Sequence, residues 1–80
     1  MIMALRDAAP SEAIATLLRQ EALSGRTLIK TREIARRLGM SNKIVGQRIG
    51  RLAREGVEGL MVSLYSSGTR GSVWVVEVAA

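Results

Sequence analysis

Apolar residues recur along this chain first at helical spacing and then in alternation. Ile14, Leu17, Leu18 and Ala22 stand at i, i+3, i+4 and i+8, which makes one stripe of a helix. Pro10-Ser11-Glu12 reads as its start: Ser11 supplies a capping oxygen and Glu12 suits the positive end of the helix dipole. Gly25 reads as its stop. Residues 1–9 carry no clear pattern and are read as an N-terminal tail or helical extension, with the domain itself at 10–80. Thr27-Leu28-Ile29 is β-prone and short, an isolated strand. Thr31 is placed to cap a second helix, with Glu33 in the first turn, Ile34, Ala35 and Leu38 as the apolar stripe, and Gly39 as the left-handed residue past its end.

Met40 crosses the turn, and Ser41 caps a third helix that runs to about Glu55. With Val45 set at zero and about 100° per residue, Ile49 and Leu52 lie within about 40° of it and form the seated face. Lys43, Gln47, Arg51 and Arg54 fall between about 160° and about 240°, on the opposite side. Gly46 and Gly50 each weaken this helix by up to about 1 kcal/mol relative to Ala, so a close approach of some kind should offset them. Beyond Gly56 and Gly59 the period becomes two. Leu60, Val62 and Leu64 alternate with Met61, Ser63 and Tyr65, and Val73 to Val78 places Trp74, Val76 and Val78 on one face. The turn-rich loop Ser66 to Gly71 between them makes a hairpin. Trp74 belongs to the core, because a hairpin must bury one face. Met61, Tyr65, Val73 and Val75 leave the other face more apolar than a solvated face needs.

Charge adds a second pattern. Arg26, Lys30, Arg32, Arg36, Arg37, Lys43, Arg48, Arg51 and Arg54 share one stretch with a single acid, Glu33, so that stretch carries +8 while the rest of the chain carries −3. Ten of the twelve cations are arginine, whose planar fork suits phosphate and guanine. A cationic helix-turn-helix in a small domain points to nucleic-acid backbone.

Chemistry is narrowed by what is missing. The 80 residues hold no Cys and no His, which excludes disulfides, the common zinc and iron–sulfur sites, and His- or Cys-based catalysis. The seven acids are scattered, and no phosphate-binding glycine motif occurs. The expectation is a protein that is not an enzyme, with no catalytic residue, no metal and no cofactor. No apolar run reaches the roughly 18 residues of a membrane span, and Met1 to Arg6 does not have the form of a signal peptide, so the reading places the chain in the cytoplasm, at the nucleoid.

The pattern Ile34-Ala35, Leu38-Gly39, Ser41, Val45, Ile49, Leu52, Gly56 resembles the winged helix-turn-helix family over about residues 11–78. Ser41-Asn42-Lys43-Ile44-Val45-Gly46 and Gly68-Thr69-Arg70-Gly71-Ser72-Val73-Trp74 are similar to small archaeal transcription-regulator-like members. The resemblance implies an α+β fold, three helices packed on a C-terminal β-hairpin, with helix 41–55 in the major groove and loop 66–71 as the wing. It implies double-stranded DNA as partner, in a transcription regulator or chromatin-associated factor. The expected DNA-binding residues are Arg32, Arg36, Asn42, Lys43, Gln47, Arg51, Arg54 and the wing's Arg70. Gln47 suits adenine and Arg51 guanine, whereas Asn42 sits where a helix N-terminus binds phosphate. Arg37 lies to one side of the second helix, where it can pair with an acid instead. A homodimer is expected as well, because many helix-turn-helix proteins read two half-sites. Two other readings compete: an RNA-binding winged helix similar to the small winged-helix protein of the archaeal and eukaryotic small ribosomal subunit, and a protein–protein module of a nucleic-acid-handling complex.

Overall fold

The structure, a computed structural model, describes residues 2–68 and 71–79, with side chains from Ser11 onward. Helix α1 (Ile2–Leu23) places Ile14 and Leu18, one turn apart, entirely inside the core. It starts well before the expected Pro10-Ser11 cap. Residues 2–9 are rich in Ala, Leu and Met, strong helix formers, and their propensity carries the helix through the proline. Ser11 therefore caps nothing. Its hydroxyl accepts a bond of 3.1 Å from Arg48 Nη1, which ties α1 to α3 (Asn42–Glu55).

Two left-handed glycines end helices in the same way. At Gly25 (φ 92°) the N–H of Arg26 reaches the carbonyl of Glu21 and that of Gly25 reaches Ala22. At Gly39 (φ 66°), past helix α2 (Thr31–Leu38), Met40 N–H reaches Ala35 and Gly39 N–H reaches Arg36. Both are the paired six-to-one and five-to-two bonds that satisfy the last carbonyls of a helix.

Strand β1 (Leu28–Lys30) is not isolated, contrary to expectation, and begins one residue later than Thr27. It pairs antiparallel with β3 (Gly71–Val78), Ile29 opposite Trp74. A three-residue strand gains its backbone partners only from a long-range neighbour, which no local pattern reveals. Strand β2 (Leu60–Gly68) lies on the other side of β3, so the sheet order is β1-β3-β2. The domain is therefore a small α+β unit of three helices and a three-stranded antiparallel sheet, a layout compatible with a winged helix.

One core joins the layers: Ile14 and Leu18 of α1, Ile34 and Ala35 of α2, Val45 and Ile49 of α3, with Ile29, Leu60, Trp74 and Val76 of the sheet. Thr31 belongs to it too. The expected cap is instead the first residue of α2, and the cap position, Lys30, makes no side-chain bond. Buried Thr31 Oγ1 accepts from Trp74 Nε1 at 2.8 Å, so the hydroxyl serves the indole rather than the helix end. The inward face of the hairpin is shorter than alternation suggests. Val78 stands at the strand end and Leu64 on an open cleft beside the start of α3, just before a register shift, and both are exposed. The expected six-residue loop also shrinks, because Ser66, Ser67, Gly68, Gly71 and Ser72 continue the ladder. Polar side chains do not stop strands whose backbones are already paired.

Candidate nucleic-acid interface

Helix α3 is held at both of its critical points. Ser41 has extended backbone (φ −74°, ψ 148°), and its Oγ accepts from the Ile44 N–H at 3.1 Å. Val45 and Ile49 are fully buried and Leu52 is partly so, which fixes the helix's rotation about its axis. Lys43, Gln47, Arg51 and Arg54 are consequently all exposed, as the 100° geometry requires. Gly46 and Gly50 face α2 and β3: a Cβ on Gly46 would stand 3.7 Å from Thr31 Cγ2, and one on Gly50 would stand 3.7 Å from the Trp74 ring and from Arg54 Nη1. These are ordinary contact distances, so internal packing does not demand glycine at either place.

Three open clefts join along this side. Ile44, Gln47, Arg48, Arg51, Arg54 and Glu55 line the first. The second lies between the start of α3 and the hairpin, where Arg32, Asn42, Lys43 and Gln47 meet Gly46, Leu64 and Ser72. The third holds Lys30 and Arg32 against Gly71, Ser72 and Val73. Gln47 borders the first two and Arg32 the last two, so the clefts form one strip from Lys30 to Arg54.

Six of the eight residues expected at the site thus line this strip: Arg32, Asn42, Lys43, Gln47, Arg51 and Arg54. Arg36 is exposed on α2 but borders none of the clefts. Arg70 lies outside the described residues. Arg51 is not free, since its Nε donates to Glu55 Oε2 at 3.0 Å, both side chains being mostly in water. An exposed pair of this kind is worth little and can be exchanged for a phosphate. Lys30, Ile44 and Arg48 also line the strip and were missed by sequence reasoning. Lys30 was counted only as charge, because nothing local placed β1 beside the hairpin. Ile44 lies about 100° from Val45, off the seated stripe, and is 44% exposed next to Gln47 and Arg48; that offset was the available signal.

The cations divide into two sets. Arg26 bonds Glu33 at 2.7 Å, Arg37 pairs with Glu21, Arg48 bonds Ser11, and Arg19 Nη2 donates to the Glu58 carbonyl at 3.1 Å. By contrast, Lys30, Arg32, Arg36, Lys43 and Arg54 have no ion-pair or side-chain hydrogen-bond partner among the described residues, and all are exposed. The hydrogen bond from Arg26 holds the Glu33 carboxyl below its ordinary range, and the same bond raises Arg26. Among the described residues no group of three or more acids could hold a metal, and no helix is long and apolar enough to cross a membrane.

No curated protein and no solved structure matches the chain. A family model described as a domain of unknown function (DUF7123) matches residues 4–78, nearly the whole length, and the chain belongs to that family.

Proposed function

We propose that this chain is a winged helix-turn-helix protein that binds double-stranded DNA and catalyses nothing, acting as a transcription regulator or chromatin-associated factor. The observation that carries the reading is the division of the cations. Arginines on the α1 side are matched within the fold, whereas four cations of the strip, Lys30, Arg32, Lys43 and Arg54, are exposed and unmatched among the described residues, and a fifth, Arg51, shares only an exposed pair with Glu55. Solubility alone asks for charge of both signs, interspersed. A surface that keeps one sign together and solvated suits an anionic polymer.

In this reading α3 enters the major groove and the β2–β3 hairpin, the wing, runs beside it. Gln47, between two clefts, suits adenine N6 and N7, and Arg51, released from Glu55, suits guanine O6 and N7. Ile44 offers an apolar contact for a thymine methyl. Lys30, Arg32, Lys43 and Arg54 take phosphates. Asn42 and the first N–H groups of α3 take another, at the positive end of the helix dipole.

The test is binding to duplex DNA, duplex RNA and single strands across a salt series. Duplex DNA should bind best, with log affinity falling steeply against log salt. A preference for structured RNA would move the chain to the ribosomal-type reading. Weak binding to all three at physiological salt would leave a protein–protein module.

A further inference from the structure

The proposed DNA contacts use only a corner of the outer face of the sheet, at Lys30. Its inner face carries Ile29, Trp74, Val76 and Leu60 into the core. On the outer face the strand register sets three rows. Lys30 and Ser66 flank Val73, Leu28 and Ser63 flank Val75, and Met61 stands beside Glu77. Leu28 is 44% exposed and Met61 62%. The edge strand β2, Leu60 to Gly68, contains neither a charge nor a proline, and the register shift between Leu64 and Ser66 is its one irregularity.

We propose that this outer face packs against the same face of a second copy of the chain. Its charges are self-complementary. Lys30 stands at one end of an apolar centre and Glu77 at the other, four residues farther along β3 or about 13 Å. A two-fold axis that stacks the sheets with strands antiparallel brings each copy's Lys30 to the Glu77 end of the other. The middle row, Leu28 and Val75, then meets itself. Parallel stacking would set Lys30 beside Lys30 and Glu77 beside Glu77. The size of the face sets the strength. Two strands of about eight residues and one of three, about 4.8 Å apart, cover about 300 Å² per copy, less than half of the roughly 800 Å² that a standard interface buries on each partner. The dimer is therefore weak, dissociating in the micromolar range or above.

The experiment is sedimentation equilibrium of the full chain without nucleic acid, up to a few hundred micromolar, so its outcome does not depend on the DNA-binding reading. A monomer–dimer equilibrium is expected. Met61→Lys, at an exposed position, should raise the dissociation constant at least tenfold, with the near-ultraviolet dichroism of Trp74 unchanged as the check on folding. Lys30→Glu and Glu77→Lys should each weaken the dimer roughly fivefold, and the double exchange should restore it. A monomer at every concentration overturns the proposal. So does a dimer indifferent to Met61→Lys, or a double exchange that is merely the sum of its parts.

Discussion

The arginines that face α1 and the cations that line α3 are the same kinds of residue in opposite circumstances. On the α1 side each guanidinium has a partner from a distant part of the chain: Arg37 holds Glu21, Arg48 holds Ser11 and Arg19 holds the Glu58 carbonyl. These contacts join α1 to α2, to α3 and to the turn before β2. Along α3 and beside the turn end of the hairpin, Lys30, Arg32, Lys43 and Arg54 reach into water. The difference teaches that net charge alone says little here. Part of the +8 is spent inside the fold, and only the remainder is available to a ligand.

The largest expected effect comes from removing that remainder. The triple variant Arg32→Ala, Lys43→Ala and Arg54→Ala should lower duplex-DNA affinity by on the order of a hundredfold or more at moderate salt, if each side chain neutralises one phosphate. The log–log salt slope should fall by about 0.9 for each. Thermal stability should hardly move, because none of the three has a partner to lose. An unchanged salt slope in filter-binding or anisotropy titrations would remove these residues from the interface and, with them, the contrast between the two sets.

Arg37→Ala probes the other set. Glu21 is largely shielded, with 13% of its side chain exposed, and it lies 4.0 Å from Arg26 as well. The loss should cost about 1 kcal/mol at most, since Arg37 itself is partly in water. That corresponds to a few degrees in the melting temperature of a domain this size. Duplex affinity should fall less than twofold in the same variant. A large loss of affinity with no loss of stability would show that Arg37 belongs with the exposed set.

Much of this division was legible from sequence, and what was not has a physical cause. The stops at Gly25 and Gly39, the cap at Ser41 and the seating of Val45 and Ile49 follow from local rules, and the structure has them all. The rotation of α3 followed from those, and with it the exposure of Lys43, Gln47, Arg51 and Arg54. Long-range partners were not legible. Thr31 looked like a cap because its hydroxyl has a common local use, but the indole of Trp74, far along the chain, claims it. Lys30 joined the strip only because β1 pairs with β3. Pro10 looked like a boundary because one residue's preference was weighed without the eight helix-forming neighbours before it. The pairing of Arg51 with Glu55, by contrast, is open to local reasoning, as an i, i+4 pair on the outer face of a helix.

That pair gives a finer test. Arg51 belongs to the α3 face by position but has an acid partner like the α1 set. Glu55→Gln should free it and also remove a negative charge beside the proposed phosphate path. Affinity for duplex DNA should rise about two- to threefold, and stability should drop by no more than a few tenths of a kcal/mol, as for exposed helical pairs. Weaker binding in this variant would mean that Glu55 positions Arg51 for the duplex instead of competing with it.

The smallest effect lies in the acid limb of the stability curve. Glu33 is the one acid within the basic stretch, and Arg26 accounts for it through a bond of 2.7 Å. That bond lowers the carboxyl below its ordinary value of 4.5. A carboxylate whose folded value is depressed adds stability that is complete above the unfolded value and drains away as pH falls through the folded one. The contribution should therefore be level near neutrality, begin to fade around pH 4.5 and vanish in stronger acid. Arg26 runs the other way: its raised value adds stability lost only at extreme alkaline pH, so of the two partners only Glu33 responds in the acid window. Glu33→Gln should make the melting temperature less dependent on pH between neutrality and about pH 3, with duplex affinity at pH 7 little changed, because Glu33 borders none of the three clefts. A marked gain in affinity at neutral pH would instead show that Arg26, once released, joins the exposed set, and the boundary between the two kinds of cation would have to be redrawn through the pair itself.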